Sequence, residues 1–212
     1  RALLQAPGQV EGVRVRDGES GVDYRVAAPV VVNCTGPSSP LVAAAFDRDL
    51  PDLFAPSIAF NLLLDRRLPG RQAIAVAPPR PGAPIYFVVP QGETTLAGTV
   101  HRERPPGTVA AAATPAEVEQ FVADLADALP DWGVAVGHVA RVFAGLLPAV
   151  RPGSAEIATR LAYVDHRARG GPRGLYSLAG VKFPTARQVA APVLARIGRA
   201  AGWRARAARV SI

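Results

Sequence analysis

The chain has no methionine, one cysteine and one lysine. A single thiol, Cys34, excludes a disulfide framework and a cysteine-built metal centre. No two of its 20 glycines stand two residues apart, so a G-x-G-x-x-G turn cannot occur here, and no glycine precedes Lys182 at the spacing of a Walker-type loop. The three histidines, His101, His138 and His166, are too far apart to form a local ligand pair, and no metal is expected. The longest apolar runs, residues 27–32 and 85–89, are far too short for a membrane-spanning helix. No basic segment followed by an apolar one opens the chain, so no signal peptide is read. The missing methionine and the start at Arg1 are what a piece of a longer product would give.

What is present describes a folded protein. The 212 residues are 49% apolar and 19% charged, enough for one sizeable domain or two small ones that bury roughly 70% of the unfolded surface. Charge is unevenly placed: residues 1–159 carry 13 basic and 16 acidic side chains, residues 160–212 carry 11 basic and one acidic. Of the 24 basic residues 23 are arginine, a bias that a GC-rich coding sequence explains; the lone Lys182 stands out against it.

Periodicity places the elements. Residues 10–17 alternate apolar and polar, as do 22–26, with Asp-Gly and Ser-Gly turn residues between them, which predicts a hairpin. Residues 29–33 form a continuous apolar run that reads as a buried, parallel-type strand ending at Gly36-Pro37. Residues 38–56 read as irregular. Four strands follow at 57–64, 72–77, 84–89 and 94–100, and their spacing without intervening helices predicts an antiparallel sheet. Thr114-Pro115-Ala116-Glu117 is a helix start, and Val118, Phe121, Val122, Leu125 and Leu129 fall on one face. Strands are expected at 134–143 and 174–178, then a helix at 185–201 that Pro192 bends or shortens and Gly202 closes.

Two loops share one pattern, a strand followed by small residues and a turn: residues 31–37 and 178–185. In the second, a strand ends at Gly180 and a helix begins within five residues, which gathers free backbone N–H groups and a positive helix end at one spot. Such a spot suits an electron-rich group; a plain strand-to-helix turn has the same pattern. Cys34 is expected to fill the core as a small hydrophobe.

Five stretches in order carry a resemblance: Val-Val-Asn-Cys-Thr-Gly-Pro at 31–37; Phe-Val-Val-Pro at 87–90 with Thr-Leu-Ala-Gly-Thr at 95–99; Ala-Gly-Leu-Leu-Pro at 144–148; Ala-Thr-Arg at 158–160; and residues 179–187. Together they resemble the C-terminal portion of FAD-dependent oxidoreductases of the D-amino-acid-oxidase superfamily, most of all the flavin-linked glycerol-3-phosphate dehydrogenases. The resemblance implies a mixed α/β fold in which a partial Rossmann-like FAD-binding domain (residues 1–37 and 144–202) is interleaved with an antiparallel substrate domain (38–143), followed by a frayed tail (203–212). It also implies an upstream βαβ unit with the glycine fingerprint.

By the same resemblance, Thr35 and Gly36 lie along the FAD, Gly145 belongs to the cofactor-binding set, and Gly180, Val181, Lys182, Phe183, Pro184 and Thr185 wrap the flavin edge. Arg160 orients an anionic substrate. His101 is either the general base or a solvated histidine at a strand end. The sequence departs from the family pattern at Leu147, where the family carries a phosphate-contacting arginine, and at His101, Val181, Pro184 and Ala186. The implied activity is hydride transfer from a small anionic hydroxy or amino substrate to flavin N5, with oxygen or a quinone as electron acceptor. The expected location is cytoplasmic, with peripheral contact at the inner membrane face as the variant. Nucleic acid is not an expected partner. Two other readings stay open: a basic module for nucleic acid or an anionic surface, and an inactive fragment.

Overall fold

The computed structural model describes residues 2–5, 8–46, 53–180 and 183–203. Val181 and Lys182 lie outside the described residues, as do 204–212, where the frayed tail is expected. The chain divides into two compact units, Arg1–Phe54 with Ala158–Ile212, and Ala55–Ile157. These boundaries fall at residues 54/55 and 157/158 rather than at 37/38 and 143/144. The reason is packing: the segment after residue 37 is helical and joins the first unit, and the strand through residue 144 continues to Pro148 in the second.

Among the described residues the first unit holds two sheets. Strands β1 (Ala2–Gln5), β2 (Gln9–Arg16) and β3 (Asp23–Ala27) form an antiparallel sheet in that order. The expected β2–β3 hairpin is present, and Asp17 organises its loop by accepting hydrogen bonds from the Glu19 and Ser20 backbone amides. Gly12, at φ +144°, passes so close to the Val26 carbonyl that a side chain has no place there.

The other sheet has the order β10 (Ala162–Asp165), β11 (Leu175–Ala179), β4 (Val31–Asn33). The expected parallel pairing is that of β4 with β11, while β10 runs antiparallel to β11. Residues 38–44, expected to be irregular, instead continue a 3₁₀ turn (Gly36–Ser38) into helix α1 (Ser39–Ala44), whose Ala43 packs with Leu53 and Val164. Burial of that short face overrides its weak local signal.

The second unit is a five-stranded antiparallel sheet with the order β6 (Ile74–Val76), β7 (Tyr86–Gln91), β8 (Thr94–Glu103), β5 (Pro56–Leu64), β9 (Val139–Pro148). All four strands expected between 57 and 100 are present. The strand expected at 134–143 begins only at Val139, because a 3₁₀ turn over Val136–His138 precedes it. Helix α2 (Pro115–Ala128) covers one face. Its capping box is complete: Thr114 Oγ1 accepts from the Glu117 amide at 3.2 Å, and the Thr114 amide donates to Glu117 Oε2 at 2.8 Å. Phe121 packs edge-on against Phe60 and tilted against Tyr86, with ring centroids 6.0 and 4.6 Å away. Ile58, Phe60, Leu62 and Leu64 alternate into this core.

Helix α3 (Ala186–Ala200), in the first unit, runs unbroken through Pro192. Its buried face, Val193 and Ile197, packs on Tyr176, and that tertiary burial outweighs the lost hydrogen bond. It ends as expected at Gly202, φ +72°, with the Trp203 amide donating back to Gly198 O at 2.7 Å.

Candidate functional site

The parallel strands β4 and β11 point the same way, so the loops at their C-terminal ends lie side by side. The loop after β4 brings Cys34 and Gly36. The bend after β11 brings Gly180, then Phe183 and Thr185 at the start of α3. These residues line a cavity of about 780 Å³, completed by Thr159, Leu161, Leu178 and residues of the first turns of α3. Its size falls within the range of small-molecule and cofactor sites. Two of its wall positions are glycine. At Gly36, φ +57°, the space a Cβ would take is open, and at Gly180 it is bounded by Leu161 at 3.6 Å. Backbone rather than side chain forms the wall there, which lets a flat group approach closely.

A 3₁₀ turn, Phe183–Thr185, leads into the helix behind the cavity, and the first turn of that helix holds no acidic residue. Thr185 and Ala186 line the cavity, so the positive end of the helix dipole stands there. Phe183 is 92% exposed, an unusual position for a phenylalanine and one that leaves its ring available to a ligand.

Cys34 is exposed rather than in the core, a correction to the sequence reading. The core ends one residue earlier, at Asn33, and Cys34 belongs to the cavity wall; burial there pushes its thiol above the usual range. Thr35 and Pro184 are not lining residues. Thr35 sits between two residues that are, with its hydroxyl bonded to Asn33 Oδ1 at 2.6 Å. Arg160 also sits between two lining residues, Thr159 and Leu161, and its guanidinium is exposed.

The other two expected site residues lie in the second unit, on either side of β5. Ala59 of β5 pairs with His101 of β8 on one side and with Gly145 of β9 on the other. Neighbouring Ile58 and Phe60 point into the core, so this row lies on the sheet face turned away from α2. His101 Nδ1 is buried with no hydrogen-bond partner, and burial lowers the imidazole's pKa below its ordinary value. The ring is thus held in its neutral, proton-accepting form near neutral pH. Beside it, Thr99 Oγ1 donates to Asn61 Oδ1 at 2.9 Å.

The sequence reading passed over Asn61 and Thr99. The signal for Asn61 was an amide inside an apolar strand, Ile-Ala-Phe-Asn-Leu-Leu-Leu. Gly98 is required there because the Asn61 side chain occupies the space a Cβ would take. Leu147 is half-buried on the same face. Among the described residues no group of His, Cys, Asp and Glu gathers as a metal site, and no helix is long and apolar enough to cross a membrane.

Residues 2–195 match the family model described as FAD dependent oxidoreductase. The probable mitochondrial glycerol-3-phosphate dehydrogenase of Caenorhabditis elegans is 27% identical over 194 residues, 90% of this chain and 26% of that protein. The alpha-glycerophosphate oxidase of Streptococcus pyogenes serotype M3 is 26% identical over 155 residues, 72% of this chain and 25% of that protein. The chain thus spans about a quarter of the length of these relatives. Among solved structures, the glycerol-3-phosphate dehydrogenase of Bacillus halodurans complexed with FAD superposes with a TM-score of 0.76 at 19% identity, covering 98% of this chain and 39% of that one. The glycine oxidase of Bacillus cereus superposes with a TM-score of 0.53 at 16% identity, covering 97% and 50%. The residues present fit a flavin ring: a roomy, largely apolar cavity with glycine walls, next to the positive end of a helix.

Proposed function

Because the chain belongs to the family of FAD-dependent oxidoreductases, we propose that it forms the ring-binding and substrate-handling portion of a longer enzyme that oxidises a small anionic hydroxy or amino compound. The cavity of about 780 Å³ at the start of α3 carries this reading. Bound FAD supplies a two-electron acceptor that takes hydride at N5. The loop at Thr35 and Gly36, together with Gly180, Phe183, Pro184 and Thr185, holds the ring; Gly145, in the second unit, is assigned to the cofactor by the family resemblance alone. Val181 and Lys182, which lie outside the described residues, are counted in the same set by the family resemblance, and a lysine ammonium beside a flavin would favour negative charge at its edge.

Arg160 holds the anionic end of the substrate, since a guanidinium fork matches carboxylate or phosphate. Leu147 offers no charge for that task. His101 accepts the hydroxyl or amine proton. The names of the relatives support a substrate of the glycerol 3-phosphate kind. The electron acceptor of such an enzyme would be oxygen, or a quinone if it works peripherally at a membrane.

The test uses the whole protein that contains this chain. Purified, it should carry the absorption bands of bound flavin. Gly180→Leu, which puts a side chain where the backbone now forms the wall, should abolish that uptake while the melting temperature changes little. A wild-type protein that binds no flavin, or a Gly180→Leu variant with full affinity, would overturn the reading. For the base, His101→Gln should lower kcat by about 100-fold. In wild type the rate should fall with acid only below the ordinary histidine value, because burial lowers the pKa of the proton acceptor.

A further inference from the structure

Behind the cavity loop, four polar side chains are almost fully buried: Asn33 at 2% exposure, and Ser39, Ser177 and His166 at 0%. Ser39 enters the network through its backbone carbonyl, its buried hydroxyl having no hydrogen-bond partner, and the partners of Asn33 fix the role of that amide. Asn33 Nδ2 lies 2.9 Å from the Ser39 carbonyl oxygen, which can only accept, and 3.1 Å from Ser177 Oγ. Asn33 Oδ1 lies 3.3 Å from the Thr35 amide nitrogen, which can only donate, and 2.6 Å from Thr35 Oγ1. The amide orientation is therefore set by chemistry, and both donors and the acceptor oxygen are engaged. Ser177 Oγ, which accepts from Asn33, has its own proton left to donate. His166 Nε2 lies 2.8 Å from the same hydroxyl and forms its second side-chain hydrogen bond.

The chain of contacts starts in the 3₁₀ turn His166–Arg169, crosses β11 and β4, and ends on Thr35. Thr35 is flanked by Cys34 and Gly36, both of which line the cavity. Besides the Ser38 amide, which donates to the Thr35 carbonyl at 3.2 Å, the loop is held from behind by one side-chain amide whose four hydrogen bonds all have defined partners.

We propose that Asn33 is a positioning residue: its amide, oriented by Ser39 and Ser177, holds the Cys34–Thr35–Gly36 wall in the shape that admits the ring. The effect on cofactor uptake rests on the proposed function above, but the effect on the loop does not. Cys34, the one thiol in this chain, lies inside the loop and reports on it without any cofactor.

The experiment follows the labelling rate of Cys34 by a maleimide in the whole protein without added flavin, read on the peptide that contains Cys34. FAD affinity of the same variants is measured by titration. Thr35→Val removes only the exposed hydroxyl contact, so folding persists, and it should raise the labelling rate about threefold. Asn33→Ala should raise it further and weaken FAD binding about tenfold. Thr35→Ser should restore both wild-type values. The double variant should match Asn33→Ala alone, because Thr35 acts through Asn33.

Labelling rates that do not change in Thr35→Val and Asn33→Ala, or effects that multiply in the double variant, would overturn the proposal. So would an Asn33→Ala protein that melts earlier but labels and binds FAD as wild type does. Labelling that responds as expected in a wild-type background that takes up no FAD would uphold the positioning role and count against the proposed function instead.

Discussion

The two units solve the same problem with different materials. In the second, strands β5 and β8, nine and ten residues long, bury most of their alternate positions, and a capped amphipathic helix closes the core with Phe121, Val122 and Leu125. One carboxylate is buried there, Asp124, and it is met by Tyr86 at 2.7 Å, Arg80 at 2.8 and 2.9 Å and Gln120 at 3.0 Å. In the first unit the strands of the cavity sheet have three to five residues, and its interior contains the polar set Asn33, Ser39, Ser177 and His166. Long strands generate enough apolar area to specify a sheet. Short ones beside a ligand cavity need directed bonds to fix the loops that follow them.

The largest effect expected from this contrast is volume loss in the second unit. Phe121→Ala should cost about 3–5 kcal/mol, read as a lower urea midpoint, because it empties the centre of the Phe60–Tyr86 cluster. A loss below about 1 kcal/mol would mean that the helix contributes little to this core.

Asp124→Ala should follow at about 2–3 kcal/mol. It leaves a buried phenol without its acceptor, while Arg80 is half-exposed and regains water. Burial alone would raise the Asp124 pKa, but hydrogen bonds from Tyr86, Arg80 and Gln120 outweigh it and hold the carboxyl below the usual carboxylate range. A carboxylate whose pKa is lowered by folding stabilises the protein above its unfolded value of about 3.9 and loses that stabilisation as pH falls through the folded value. Wild type should therefore lose stability on acidification more steeply than Asp124→Asn, and parallel acid-denaturation curves would contradict the pairing.

In the first unit, Ser177→Ala removes a single oxygen yet should cost about 1–3 kcal/mol, since Asn33 and His166 both lose a buried partner. If it proves neutral, the contrast between the units weakens. Smallest is Thr114→Ala, about 1 kcal/mol, from the lost cap of α2. Arg104, 2.7 Å from Glu117 Oε2, keeps the other half of that cap ordered and should limit the damage.

Legibility followed the same division. The four strands between residues 57 and 100 and α2 were readable because their signals are local: short segments at close spacing with turn residues between them, and a Thr-Pro-x-Glu start. The cavity loops were readable as strand-then-glycine patterns, and the family resemblance attached a cofactor to them. Helix α1 was not readable, because six residues with proline at the start carry almost no periodicity and owe their form to packing. Cys34 was misplaced because a cysteine after Val-Val-Asn reads as core, whereas the burial ends with the amide before it. Asn61 and Thr99 went unnoticed because β5 and β8 are far apart in sequence, and only their pairing makes a polar pair on one face.

By itself the sequence determined where chain direction changes and which faces are apolar, since turn chemistry and hydrophobic period act over a few residues. It also determined, by glycine spacing, that no dinucleotide fingerprint lies within these 212 residues. Only the tertiary structure decided that Asn33 and Ser177, 144 positions apart, share a hydrogen bond, that His101 lies level with Gly145, and that Cys34 and Gly180 line one cavity. Those are meetings across strands, and their partners are chosen by which buried polar groups can satisfy one another once the sheets have formed.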